Sequence, residues 1–199
     1  MQKTKNNTNL VWFRNDLRTT DNAVLAEARK NGNRVIAVYC FDPKYFSVNK
    51  HGFKITEKYR ARFLIETIED LTIQLSDLNI NLLVHYDLPE AIIPKICETF
   101  DVTDIYIQND WTKDEVATEN GVKSKLKNVN FHAIYNQLLF HPEDINFEIS
   151  KTPQVFTVFR KKLEKYIAIR EEETTLKLSD SNRIENSTQI PTLSDLGFE

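Results

Sequence analysis

The stretch NLVWFRNDLRTTDN, residues 9–22, decides the fold. Its apolar run Leu10–Phe13 reads as a buried strand. It breaks at once into Arg14, Asn15, Asp16, Leu17 and Arg18, then Thr-Thr-Asp-Asn, then the helical pattern AVLAEARK. Strand, charged turn and helix open a nucleotide-binding unit, yet the turn has no glycine. The four glycines are Gly32, Gly52, Gly121 and Gly197, and none follows the first strand. A pyrophosphate site needs glycine so that backbone N–H groups can approach the phosphate. This turn therefore has to hold something else.

Working outward, short apolar runs alternate with longer periodic segments. Strands are expected at Leu10–Arg14, Val35–Phe41, Ile80–Tyr86, Asp104–Gln108 and Val129–Tyr135, rich in β-branched and aromatic residues. Helices are expected at Asp21–Lys30, opened by Asp and Asn, and at Glu57–Leu78. Leu64, Ile68, Leu71, Leu75 and Leu78 line one face of the second. Two more are expected at Pro89–Phe100, with proline in the first turn, and at the mostly polar Lys113–Lys127. Five β/α alternations predict an α/β fold, a five-stranded doubly wound parallel sheet (Rossmann-like, order 3-2-1-4-5) flanked by helices. After residue 135 the rhythm changes. TPQVFTVFRKKLEKYIAI predicts an amphipathic helix with Phe156, Phe159, Leu163 and Tyr166/Ile167 on one face. Residues 171–199 are charged, then rich in Ser, Asn and Thr, and read as a linker after a domain spanning 1–170.

The bulk properties exclude several classes. The chain has 199 residues, enough for one sizeable core, and a net charge of −3. Such a balance does not suggest a free-standing nucleic-acid binder. Cys40 and Cys97 are the two cysteines, which fits a reducing compartment and places the chain in the cytoplasm. No apolar run is long enough for a membrane span, and MQKTKNNTN lacks the apolar segment of a signal peptide. The sequons at Asn6 and Asn186 then carry no glycan.

In doubly wound sheets, ligands bind beyond the carboxyl ends of the strands at the switch point in strand order. That selects Arg14–Arg18, then Cys40, Phe41 and Asp42, then Gln108, Asn109, Asp110 and Trp111. A carboxylate such as Asp110 can accept paired hydrogen bonds from an amino group and a ring N–H, which suits the edge of a pterin or flavin-like ring. Phe41 and Trp111 could stack on its face. Each choice has a plainer reading. Arg14, Asp16 and Arg18 can form a salt-bridged turn, Asp110 can cap the next helix, and Cys40 can be a small core residue. The four histidines lack metal spacing. No nucleophile–base arrangement is legible. From spacing alone, a stand-alone nucleotide- or protein-binding module stays open, as does an adenine-nucleotide enzyme of similar topology, though no Gly-rich loop favours the latter.

LVWFRNDLRTTDNAVLAEA followed by VYCFDPKYF resembles the amino-terminal domain of the photolyase/cryptochrome family, and is most similar to its DASH-type cryptochromes. RARFLIETIEDL, LLVHYDLPEAIIPKI and TPQVFTVFRKKLEKY agree in order and spacing from residue 9 to about 170. The resemblance implies an antenna-chromophore domain, followed in the family by a helical domain that holds FAD, binds DNA and uses blue light to repair pyrimidine dimers, preferably in single-stranded DNA, or to sense light. None of that helical domain lies in these 199 residues. The implied partners are therefore the chain's own C-terminal FAD domain and, through it, DNA. The implied antenna is of the methenyltetrahydrofolate type, with Arg14, Asp16, Cys40, Phe41, Gln108, Asn109 and Asp110 as this domain's share of the site. The family often has Glu near the position of Asp110, and a Gly-Pro pair where Glu57 and Lys58 stand. No catalytic residue and no metal ligand is implied here.

Overall fold

The computed structural model describes residues 7–199. The polar stretch read as no signal peptide begins outside the described residues, and Asn6 lies there too. Five strands form one parallel sheet: β1 (Thr8–Phe13), β2 (Arg34–Cys40), β3 (Leu82–His85), β4 (Val102–Gln108) and β5 (Asn130–Ile134). Their order is β3-β2-β1-β4-β5, as the alternation predicts. One row of Cα partners crosses the whole sheet, through Leu82, Ala37, Val11, Tyr106 and His132.

Successive strand residues point to opposite faces, and both faces of the central strands are covered, so the middles of β1 and β2 are apolar on both sides. Val11, Phe13, Ala37, Tyr39 and Val84 pack with α1 (Ala23–Glu27) and α2 (Lys58–Asp77). Leu10, Trp12, Ile36, Val38 and Ile105 pack with α3 (Pro89–Thr99) and α4 (Lys113–Lys123). On α2, the expected stripe holds: Ile68, Leu71 and Leu75 are buried, and Leu64 and Leu78 pack partly against the same core.

Three local differences from the sequence reading have physical causes. The first helix begins two residues later than expected. Asp21 has φ of 46° and belongs to the turn, while Asn22 is the cap, its side chain accepting the Leu25 N–H at 3.0 Å. β1 starts earlier, because buried Asn9 donates to the Ala28 carbonyl at 2.6 Å and to Asn31 at 2.9 Å. A polar residue satisfied in this way hides a strand from an apolar pattern. The third is α5 (Phe156–Tyr166), where only Leu163 of the predicted apolar face is buried and Phe156 is 71% exposed.

Residues 171–199 read as a linker by composition, and they are strapped across the domain, with Asn186 and Thr188 at the free edge of the sheet. The Asn182 side chain accepts the Val35 N–H at 2.8 Å and donates to the carbonyls of Val35 and Asn79 at 2.9 and 2.7 Å. Further along, Asn186 donates to the Leu82 carbonyl, and Thr188 accepts the Val84 N–H. Side chains of the strap thus satisfy outward-facing backbone groups of edge strand β3. Leu196 then inserts into the core.

Candidate functional site

The glycine-free turn after β1 is held by its own side chains. The Asp16 carboxylate accepts the Arg14 N–H at 3.1 Å, and the Arg18 N–H donates to the Asp16 carbonyl at 2.7 Å. This is a side-chain-closed turn, and its one left-handed position is taken by Asp21 in place of a glycine. Asp16 is buried, and desolvation raises its pKa against the opposing Arg14 N–H. Arg18 donates to the carbonyls of Asp21 and Asn136 at 2.9 Å each, tying the turn to the segment after β5.

Arg14 crosses the switch point between β1 and β4. One terminal nitrogen donates to the Gln108 carbonyl, lies 3.1 Å from the Asp110 carboxylate, and lies 3.5 Å from Glu119 on α4. Glu119 is bound in turn by Lys123 at 2.6 Å. Gln108 donates its side-chain amide to Asp110 at 3.2 Å. The guanidinium also lies 5.2 Å from the centre of the Trp12 ring. Nε and the second terminal nitrogen of Arg14 are buried without a hydrogen-bond partner. Burial raises the pKa of Asp110, opposed by the positive charge of Arg14.

Beside this network, a cavity of about 330 Å³ opens at the carboxyl ends of β1 and β2. Its wall includes Trp12, Arg14, Tyr39, Phe46, Arg60 and Phe63. Aromatic rings share the wall with the charged residues Arg14, Asp42, Arg60 and Glu115. The loop that supplies Tyr45 and Phe46 is capped by Asp42, whose side chain accepts the Lys44 N–H at 2.9 Å.

The structure brings together Arg14, Gln108 and Asp110 and places Asp16 beneath them. Of the seven residues named from sequence, Arg14 and Cys40 line the cavity. Burial pushes the Cys40 thiol far up. Phe41 is fully buried, meeting Tyr39 edge-on at 5.0 Å. Asn109 uses its backbone, donating to the Ile134 carbonyl and accepting from Gln137. Trp111 is 53% exposed and stacks on Tyr135 at 5.4 Å, outside the cavity. Sequence reasoning missed Glu119, Arg60 and Phe63. In sequence, Glu119 with Lys123 four residues on looks like a solvent-facing helix pair. Only the fold shows that Glu119 is buried. No cluster with the makings of a metal site occurs among the described residues, and none of their helices is long and apolar enough to cross a membrane.

Comparison with known proteins matches this fold. The model of the DNA photolyase family matches residues 9–177. The chain is 36% identical over 193 residues to a cryptochrome DASH of Gloeobacter violaceus, covering 96% of this chain and 38% of that protein. A crystal structure of a Synechocystis cryptochrome superposes with a TM-score of 0.81 at 34% identity, over 93% of this chain and 38% of that one. A photolyase from Sulfolobus tokodaii, described with two FAD molecules and an implied light-harvesting cofactor, shares the fold. Its TM-score is 0.73 at 21% identity, over 95% of this chain and 40% of that one. The present chain thus spans well under half the length of these relatives. With the family model matched over residues 9–177 and the fold in agreement, the chain belongs to the DNA photolyase family, as an N-terminal α/β domain of the DASH cryptochrome kind.

Proposed function

We propose that this chain is the antenna domain of a DASH-type cryptochrome or photolyase, and that the cavity at the ends of β1 and β2 is its share of the chromophore site. The parent protein would hold FAD in a C-terminal helical domain and use blue light to repair pyrimidine dimers, preferably in single-stranded DNA, or to sense light. It would work in the cytoplasm, where Cys40 and Cys97 stay free and buried. The observation that carries this reading is the match over 96% of this chain to 38% of a cryptochrome DASH.

The cavity residues fit a planar heteroaromatic group of the methenyltetrahydrofolate type. Aromatic rings in the wall offer stacking, and the charged residues among its lining, Arg14, Asp42 and Arg60, offer partners for polar ring edges or carboxylates. Bound there, the chromophore would supply absorption in the near ultraviolet and blue. The chain's own residues bind and orient. Asp110 and Glu119 fix the guanidinium, Asp16 fixes the backbone that carries it, and Trp12, Tyr39 and Phe46 exclude water. Asp110 is engaged by Arg14 and Gln108, so its role is to aim Arg14 more than to grip the ligand itself.

The exposed apolar side chains of Val155, Phe156, Val158 and Tyr166 around α5 supply a face for the C-terminal domain. An antibody against this domain tests the parent reading in the source cell. A polypeptide more than twice this length supports it, and one of this length overturns it. Titration with methenyltetrahydrofolate should give weak binding with a shifted absorption band. A stoichiometric flavin complex would assign FAD to this domain and overturn the division of cofactors.

A further inference from the structure

The loop between β2 and α2 turns its side chains the opposite way from their chemistry. Phe53 is 57% exposed and Ile55 is 49% exposed, while Lys54 between them is partly buried. Hydrophobicity alone would bury the two apolar side chains and leave the cation in water. A specific interaction therefore holds Lys54. The loop is a small hairpin, in which Val48 bridges Lys54 in antiparallel fashion and the Asn49 N–H donates to the Phe53 carbonyl at 2.9 Å. At its base the Thr56 N–H donates to the Tyr45 carbonyl at 2.8 Å. Tyr45, Phe46 and Thr56 all belong to the cavity wall, so the base of the hairpin is one side of the site.

What Lys54 meets comes from the segment that composition reads as a linker. Its ammonium donates to the Gly197 carbonyl at 2.7 Å and lies 4.0 Å from the centre of the Phe198 ring. One cation thus meets a carbonyl and a π face on adjacent residues. The segment that presents them is itself a closed turn. The Asp195 carboxylate accepts the Thr192 N–H at 2.8 Å and the Thr192 hydroxyl at 2.7 Å, and the Asp195 N–H donates back to that hydroxyl at 3.2 Å. The Gly197 N–H donates to the Ser194 carbonyl, and the Phe198 N–H to the Leu193 carbonyl, each at 3.0 Å. Gly197 closes the turn with φ of 77°, a conformation that favours glycine. A Cβ there would also sit 3.2 Å from the Lys54 ammonium. The turn is anchored by Leu196, buried in the same apolar cluster as Tyr39 and Phe46, with Leu193 and Phe198 packed partly against it.

We propose that Lys54 is a positioning residue for the cavity, and that the turn at residues 192–198 is the fixed post to which it ties the wall. Held by Lys54, the hairpin keeps Thr56 on Tyr45, and so keeps Tyr45 and Phe46 in place beside the opening. Released, the base of the hairpin loosens and the wall loosens with it. A turn 143 residues further along the chain thereby sets the shape of a site at the ends of β1 and β2. The effect on ligand binding rests on the antenna reading of the cavity, whereas the effect on the wall does not.

The test is amide hydrogen exchange of the full chain, paired with titration by methenyltetrahydrofolate. Lys54→Met keeps an unbranched apolar stem and removes the donor and the charge, Lys54→Arg restores both, and Gly197→Ala disturbs the post from the other side. Lys54→Met and Gly197→Ala should each speed exchange at the Thr56 amide by about fivefold or more. The amides of β4 should exchange as in the wild type. Lys54→Arg should return Thr56 towards the wild-type rate. Folate affinity should fall by about threefold or more in Lys54→Met and recover in Lys54→Arg. Unchanged exchange at Thr56 in Lys54→Met overturns the proposal. Exchange that rises equally in β4 also overturns it, because Lys54 would then serve general stability. Faster exchange at Thr56 with folate affinity unchanged overturns the link to the cavity. A wild type that binds no folate counts against the antenna reading instead, and exchange at Thr56 then decides the proposal by itself.

Discussion

The guanidinium of Arg14, at the tip of β1, sits 3.1 Å from the Asp110 carboxylate at the tip of β4, and both side chains are at least nine-tenths buried. The pair spans the point where the strand order reverses. Glu119 adds a second carboxylate at 3.5 Å, and Lys123 balances it at 2.6 Å. Buried ion pairs often add little net stability compared with apolar packing. Removal of one partner is costly, because the other charge stays buried and unpaired.

Arg14→Ala should therefore destabilise the domain by about 3 kcal/mol or more. The measurement is urea denaturation, where the midpoint should fall at an unchanged slope. Arg14→Lys should recover only part of the loss, since the shorter lysine side chain does not carry its ammonium to the point where one guanidinium nitrogen meets Gln108, Asp110 and Glu119. A loss below about 1 kcal/mol for the alanine variant would mean that the network does not hold the two strand ends together.

Asp16 predicts a pH dependence of definite sign. Burial raises its folded-state pKa above the ordinary 3.8, so the folded chain keeps this proton to higher pH than the unfolded chain does. The stability it contributes is fully present below that ordinary value and is lost as pH rises through the raised one. Asp16→Asn keeps an oxygen for the Arg14 N–H and removes the titration. Its stability relative to the wild type should improve from acid to neutral buffer, read from denaturation midpoints in each. A difference independent of pH would show that Asp16 does not titrate out of register with the unfolded chain.

Asn182→Ala should cost about 2–4 kcal/mol, because one buried side chain serves the N–H and carbonyl of Val35 and the carbonyl of Asn79. Asn182→Asp tests the donor side separately. It keeps the acceptor for Val35 and loses both donated bonds. Thermal melts that leave either variant unchanged would detach the strap from the account of stability.

Thr188→Val combined with Asn186→Ala removes the side chains that cover the free edge of β3. Uncovered strand edges invite pairing between chains. Light scattering at constant temperature should show faster aggregation of this variant, with little change in helix content by circular dichroism. Equal aggregation rates would mean that the strap backbone alone shields the edge.

The sequence by itself determined the strands and both helix layers, and through the doubly wound pattern the strand order and the crest where a ligand is expected. The reason is local. A strand covered on both faces must be apolar along its length, and a helix on a sheet must show its 3.6-residue stripe, so Val35–Cys40 and Ile68–Leu75 announce themselves. The family was equally legible, through the turn that follows β1. Contacts between residues far apart in the chain were not. Glu119 reads as a surface acid until α4 packs it over Arg14, 105 residues earlier. Asn182 reads as linker until its amide meets Val35, and Tyr39 reads as core until the cavity opens beside it. Polar and aromatic side chains carry no periodicity that tells burial from exposure. Their roles depend on which partners arrive from elsewhere in the chain, and only the tertiary structure decided that.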